Sequence, residues 1–263
     1  MGDKFYKLIQ GVEFMKNNIA SRVKQKYWLV AEGPRLMGQL FKTAVDINKF
    51  KSLPKGSNRP TLVIPGFATT NASTYFMRKV LTNNGHNTIR WFYHRNVGLS
   101  DNVLEETCKQ VLDICDAYGT EINIVGQSLG GCFARAAANM HPECVNAVVT
   151  LGSPINSITR INKYSIDKYN EITGIVDAAF IQHSEYYHTF YPNPDVPCSS
   201  MYSYTDGVVH WSQSITNLTD KSENIVIKPS HFAMGFDFDT LVVVADRLSR
   251  NKDTWERWPA SQP

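Results

Sequence analysis

Cysteine is scarce here: Cys108, Cys115, Cys132, Cys144 and Cys198 are five in 263 residues, odd in number and without a CxxC pair. That excludes a disulfide framework and a cysteine zinc site, and it points to a reducing compartment. Long apolar runs are missing as well, so no bilayer-spanning helix is expected. The charged opening Met1-Gly-Asp-Lys-Phe-Tyr-Lys7 is not followed by the apolar stretch of a signal peptide. Tyr6 stands where a myristoylation signal wants Ser or Thr. No Pro/Gly/Ser-rich linker or low-complexity tract divides the chain, so one domain over residues 1–263 is the reading. With 43% hydrophobic and 19% charged residues, disordered and fibrous classes are excluded. His183 and His188 flank Glu185 without HExxH spacing, and no metal is expected.

Charge is unevenly spread. Residues 1–58 carry 11 Lys+Arg against 4 Asp+Glu, a net of +7, whereas the rest carries 16 against 20, a net of −4. Residues 1–59 therefore read as a basic helical extension, with Phe5, Leu8, Ile9, Val12, Met15 and Ile19 at helical spacing. Two readings of this arm stand together: an amphipathic helix on anionic lipid, or a helix packed on the domain with its lysines in water. A cytoplasmic protein, with or without peripheral membrane contact, is expected, and no nucleic-acid partner.

Beyond the arm, strand and helix patterns alternate. Thr61–Gly66 reads as a strand and turn, Ser73–Leu81 as a helix stopped by Asn83-Asn-Gly85, and Asn87–Tyr93 as a strand. A helix follows from Ser100 to Tyr118 with Gly119 closing it, and Cys108 and Cys115 share its inner face. Ile122–Val125 is a strand, Leu129–His141 a helix and Ala147–Leu151 a strand. Residues 155–197 break the rhythm with many aromatics and read as a cap- or lid-like insertion. Ser199–Tyr204 and Asn224–Lys228 are further strands. Asp239–Arg250 reads as a helix, although Val242-Val-Val244 suits a strand equally. This alternation implies a mostly parallel sheet covered by helices on both faces, with catalytic loops at the carboxyl ends of its strands.

Gly126-Gln-Ser-Leu-Gly130 sits where a strand turns into a helix, an arrangement that lifts a serine hydroxyl clear of the sheet. Alone, GxSxG is a weak signal. A serine nucleophile needs a histidine to take its proton and a carboxylate to orient that histidine, in the chain order Ser, acid, His. Asp206 and His231 satisfy that order, each just after a strand that could lie beside the one leading to Ser128. Ser128, Asp206 and His231 are the candidate triad. Asp195 is the alternative acid and His210 the alternative base. The oxyanion amides are expected at Leu129, after the nucleophile, and at Phe67, beyond the Pro65-Gly66 turn.

Together, Val63-Ile-Pro-Gly-Phe67, Ile124–Gly131, Thr150-Leu-Gly-Ser-Pro154, Tyr204–Val209 and Ser230–Gly235 resemble a bacterial branch of the α/β-hydrolase esterase and lipase family. The likeness spans residues 60–250 and extends faintly to Ala31-Glu-Gly-Pro-Arg35. It implies Ser128 as nucleophile, Asp206 as acid, His231 as base, and Phe67 and Leu129 as oxyanion amides. Gln127, where relatives often have Trp, and Pro65, where lipases often have His, depart from the pattern without removing a catalytic group. The expectation is a cofactor-independent hydrolase of carboxylic esters, whose partner is a small acyl ester or lipid. Its rivals are a thioesterase or acyltransferase using the same triad, and a catalytically silent scaffold binding lipid or protein.

Overall fold

A computed structural model describes residues 2–156, 167, 171 and 185–259, and side chains from residue 24 onward except those of 101 and 185–187. Six strands form one sheet: β1 (Pro60–Ile64), β2 (Asn87–Arg90), β3 (Ile122–Gln127), β4 (Val145–Leu151), β5 (Cys198–Ser203) and β6 (Ser222–Ile227). Their order is β2-β1-β3-β4-β5-β6, and every pairing is parallel. Largely β-branched or aliphatic residues on both faces make β1 and β4 buried throughout and β3 buried up to the half-buried Gln127, as a sheet covered on two sides requires.

Alternation along the strands divides the interior in two. Leu62, Ile64, Ile122 and Ile124 face a core shared with α3 (Asp101–Tyr118) and α4 (Leu129–Met140). Val63, Val125 and Val149 face the other, shared with α2 (Tyr75–Asn83) and α6 (Phe238–Ser249). A short helix, α5 (Glu185–Phe190), packs on α4 through buried Arg135, whose guanidinium donates to the carbonyls of Phe190, Tyr191 and Pro192 at 2.7–3.0 Å. The chain is an α/β-hydrolase fold.

Several boundaries follow local chemistry. Ser100 caps α3 by accepting the Val103 N–H, and Gly119 ends it in the left-handed region at φ 61°. Cys108 lies in the core below α3 and Cys115 packs at its edge; all five cysteines are free thiols. The ambiguous Val242-Val-Val244 is helical because Asp237 caps α6 and Leu241, Val244 and Leu248 line one buried face. One expectation is corrected: β5 and β6 do not flank β3, because β4 lies between β3 and β5. Most of the aromatic insertion, residues 157–166, 168–170 and 172–184, lies outside the described residues.

The N-terminal extension forms α1 (Gly2–Val45), followed by a short 3-10 turn at Ile47–Ser52. The apolar residues read from the arm's first half have side chains outside the described set. Between Lys24 and Val45, Glu32, Arg35, Gln39 and Thr43 hydrogen-bond to the domain. Among the described residues no helix is long and apolar enough to cross a membrane.

Candidate active site

Ser128 follows β3 and precedes α4 at φ 53° and ψ −128°, a left-handed backbone that non-glycine residues rarely adopt. The neighbouring glycines make that turn physically possible. A Cβ at Gly126 would meet the Gly130 carbonyl oxygen at 2.4 Å, and one at Gly130 would meet the Ile64 carbonyl oxygen at 2.4 Å. Strand and helix pass at a separation that only glycine permits.

Beside the serine runs the turn after β1. A Cβ built on Gly66 would lie 3.2 Å from Ser128 Cβ and 3.8 Å from its Oγ, so Gly66 borders Ser128. Asn96 pins this turn: its side-chain amide donates to Pro65 O at 2.8 Å, its carbonyl accepts Ala68 N–H at 2.7 Å, and its own N–H reaches Thr69 O at 2.9 Å. Ala68 is held at φ 61° in consequence. On the other side Leu129 opens α4, and the first N–H groups of a helix have no intrahelical acceptor.

Asp206 and His231 meet after β5 and β6. Asp206 Oδ2 and His231 Nδ1 are 2.7 Å apart, and both side chains are almost fully buried. The second carboxylate oxygen of Asp206 accepts the N–H groups of Val208 and Val209, each at 2.8 Å, which fixes the acid's rotamer. Burial alone would push the His231 imidazole pKa down; the charge and hydrogen bond of Asp206, with the charge of Glu32, outweigh it and hold the value above the ordinary 6.5. Gln127 Nε2 donates to His231 O at 3.3 Å and ties the histidine loop to the elbow. Among the described residues no hydrogen bond joins Ser128 Oγ to the His231 ring, whose Nδ1 is held by Asp206.

The alternatives fall elsewhere. Asp195 lies before β5, at the amino end of the sheet, where it is exposed and paired with Lys221 at 2.8 Å. His210 Nδ1 lies 2.8 Å from Ser212 Oγ, and it is His231 that Asp206 holds. Of the residues weighed for a metal, His183 lies outside the described residues, as does the side chain of Glu185; among the described residues no cluster of three metal-ligating side chains occurs.

Glu32 is the residue that sequence reasoning passed over. Its Oε1 accepts the N–H of Gly207 at 2.9 Å and that of His231 at 3.1 Å, so one buried carboxylate joins the Asp206 loop to the His231 loop. Arg35 donates to Thr205 O at 2.6 Å and Gln39 accepts from Ser230 Oγ at 2.9 Å, repeating the bridge on either side. Gly207 admits α1 because a Cβ there would lie 2.4 Å from Leu29 N. A signal existed: Glu32 is the only carboxylate in residues 14–45 of a basic arm.

A parallel sheet with a strained serine at its centre and a buried carboxylate–imidazole pair at its carboxyl edge defines an α/β-hydrolase of the esterase and lipase class. The palmitoyl protein thioesterase family model matches residues 60–217, a span that holds Ser128 and Asp206 and stops short of His231. The chain belongs to that family, which places it among the hydrolases. Solved structures agree on the fold. A monoacylglycerol lipase of Paleococcus ferrophilus superposes with a TM-score of 0.53 at 11% identity, covering 75% of this chain and 96% of that one. Aspergillus fumigatus lipase B gives 0.57 at 13%, covering 76% and 55%. Bacillus licheniformis lipase BlEst2 in its mature form gives 0.53 at 14%, covering 76% and 95%. No functionally curated protein matches the sequence.

Proposed function

We propose that this protein hydrolyses carboxylic esters of apolar acyl groups through an acyl-enzyme on Ser128. The observation that carries the reading is the buried Asp206–His231 pair at 2.7 Å, held at the same sheet edge as a serine strained into the left-handed region. In the first half-reaction Ser128 Oγ bonds to the acyl carbon and His231 takes its proton; the C–O bond to the alcohol then breaks and that proton leaves with the alcohol. In the second half water attacks the acyl carbon, gives a proton to His231, and the Ser128 oxygen recovers it as the acid departs. Asp206 keeps the imidazole oriented and stabilises its charged form. The amides of Phe67 and Leu129 would face the developing oxyanion, where loss of one donor costs about 3–4 kcal/mol in related chemistry. No cofactor or metal enters these steps.

A second reading, hydrolysis of acyl thioesters, is favoured by the family match itself, whose model is described as palmitoyl protein thioesterase. The same acyl-enzyme forms whether an alcohol or a thiol leaves. One series separates them: turnover of p-nitrophenyl esters of increasing chain length against S-acyl thioesters of the same lengths, with Ser128→Ala beside each. Labelling of Ser128 by a fluorophosphonate, absent in Ser128→Ala, is expected. Full turnover in Ser128→Ala would refute the mechanism.

A further inference from the structure

The described half of α1 turns one face to the domain, with Trp28, Leu29, Leu36 and Leu40 half-buried, and leaves an apolar stripe exposed. Its polar side chains Glu32, Arg35, Gln39 and Thr43 reach the loops of the active site, while Tyr27, Val30, Met37, Phe41 and Val45 point into solvent. Their spacing of three, seven, four and four residues places them on one stripe of the helix. Exposure is extreme: Val30 is 80%, Phe41 74% and Met37 68% accessible. Single exposed apolar residues are ordinary, but a continuous helical stripe marks a surface that something covers.

Its charges say what. Lys24, Lys26 and Lys42 flank the stripe and are exposed, and the one carboxylate of this stretch, Glu32, is buried against the domain. A second copy stacked on the stripe would set lysines against lysines. An anionic lipid surface would take the apolar stripe among its acyl chains and the lysines at its headgroups, and Tyr27 is the kind of side chain that sits at that boundary. We infer that α1 docks the protein on anionic membranes through Tyr27, Val30, Met37, Phe41 and Val45. The helix face opposite the stripe holds the Asp206 and His231 loops, so docking brings the site to the surface where acyl lipids lie. This placement complements the ester-hydrolase reading, but membrane binding is measured without it.

The test is co-sedimentation of the full chain with vesicles of about one third phosphatidylglycerol in phosphatidylcholine, and with phosphatidylcholine alone. Binding is expected to the anionic vesicles, weakened by salt and by about fivefold for each of Lys24→Ser and Lys42→Ser. Val30→Glu with Phe41→Glu should weaken it by at least about tenfold. Thermal melting and turnover of a soluble short-chain ester should stay unchanged in that variant, because both residues are exposed and neither is among the α1 side chains that hold the Asp206 and His231 loops. If turnover is absent but binding behaves as stated, the docking stands and the ester reading fails. Equal binding to neutral vesicles, no binding, or binding indifferent to the double substitution would overturn the docking. So would a concentration-dependent dimer abolished by the same substitutions, which would make the stripe an interface between copies.

Discussion

Replacing Glu32 by glutamine removes a negative charge yet keeps a carbonyl oxygen where Gly207 and His231 donate their N–H groups. Hydrogen bonds to a charged acceptor contribute about 1.5–3 kcal/mol, against about 0.5–1.5 for neutral ones. With two such bonds on one buried oxygen, Glu32→Gln should lower stability by about 1–3 kcal/mol, and each kcal/mol is worth roughly 2–4 °C of melting temperature at this size. Glu32→Ala leaves both N–H groups buried and unpaired, at about 1–3 kcal/mol each. The charge also supports the protonated His231 ring, so its removal lowers that pKa. The base must be neutral to act, so kcat/KM of the native protein should rise with pH through a midpoint above 6.5. In Glu32→Gln that midpoint should move down while turnover on the alkaline plateau falls. A purely structural role would cost stability without moving the midpoint. Reasoning from geometry fails if Glu32→Gln leaves both the midpoint and the melting temperature unchanged.

Four further outcomes are expected. Asp206→Asn should shift the acid limb of the same profile to lower pH and reduce plateau kcat by roughly 10⁴, as loss of an orienting carboxylate does. Gly130→Ala should cost about 1–3 kcal/mol by urea unfolding and more than about 100-fold in kcat/KM, since its Cβ would meet Ile64 O at 2.4 Å and must displace the turn beside Ser128. Arg135→Met should destabilise by at least about 3 kcal/mol in urea, because the carbonyls of Phe190, Tyr191 and Pro192 lose their donor in the interior. Protonated His231 should stabilise the fold in a defined window: its raised pKa gives a contribution complete below the unfolded value of 6.5 and lost as pH climbs through the folded value, which His231→Gln should flatten.

How much of this was legible in the chain varies with distance along it. Ser100 and Gly119 announced the ends of α3 because caps are local chemistry, and GxSxG announced the elbow because glycine is needed on both sides of one residue. Asp206 and His231 were found by order and by strand ends, although β4 separates their strands from that of Ser128. Strand order was not readable, since both buried faces of β1, β3 and β4 carry the same aliphatic residues. Glu32 escaped because its partners lie 175 and 199 residues away, and nothing near position 32 demands a buried acid. The orientation of α1 escaped for a related reason: apolar periodicity locates a stripe but does not say whether protein or solvent faces it. The pairing of Asp206 with His231 rather than His210 needed the geometry of Asp206, whose two oxygens choose their partners only in three dimensions.

The reach of Glu32 has a temporal side. In a chain made from the amino end, α1 leaves the ribosome well before the residues its carboxylate binds, which lie 175 and 199 positions further on. Contacts of such separation close late and slowly, after local helices and the central strands have formed. The sheet around Ser128 can therefore exist before the acid and the base are locked in register. Until Gly207 and His231 arrive, the Glu32 carboxylate lacks those donors, and on the proposed mechanism Ser128 still lacks its base.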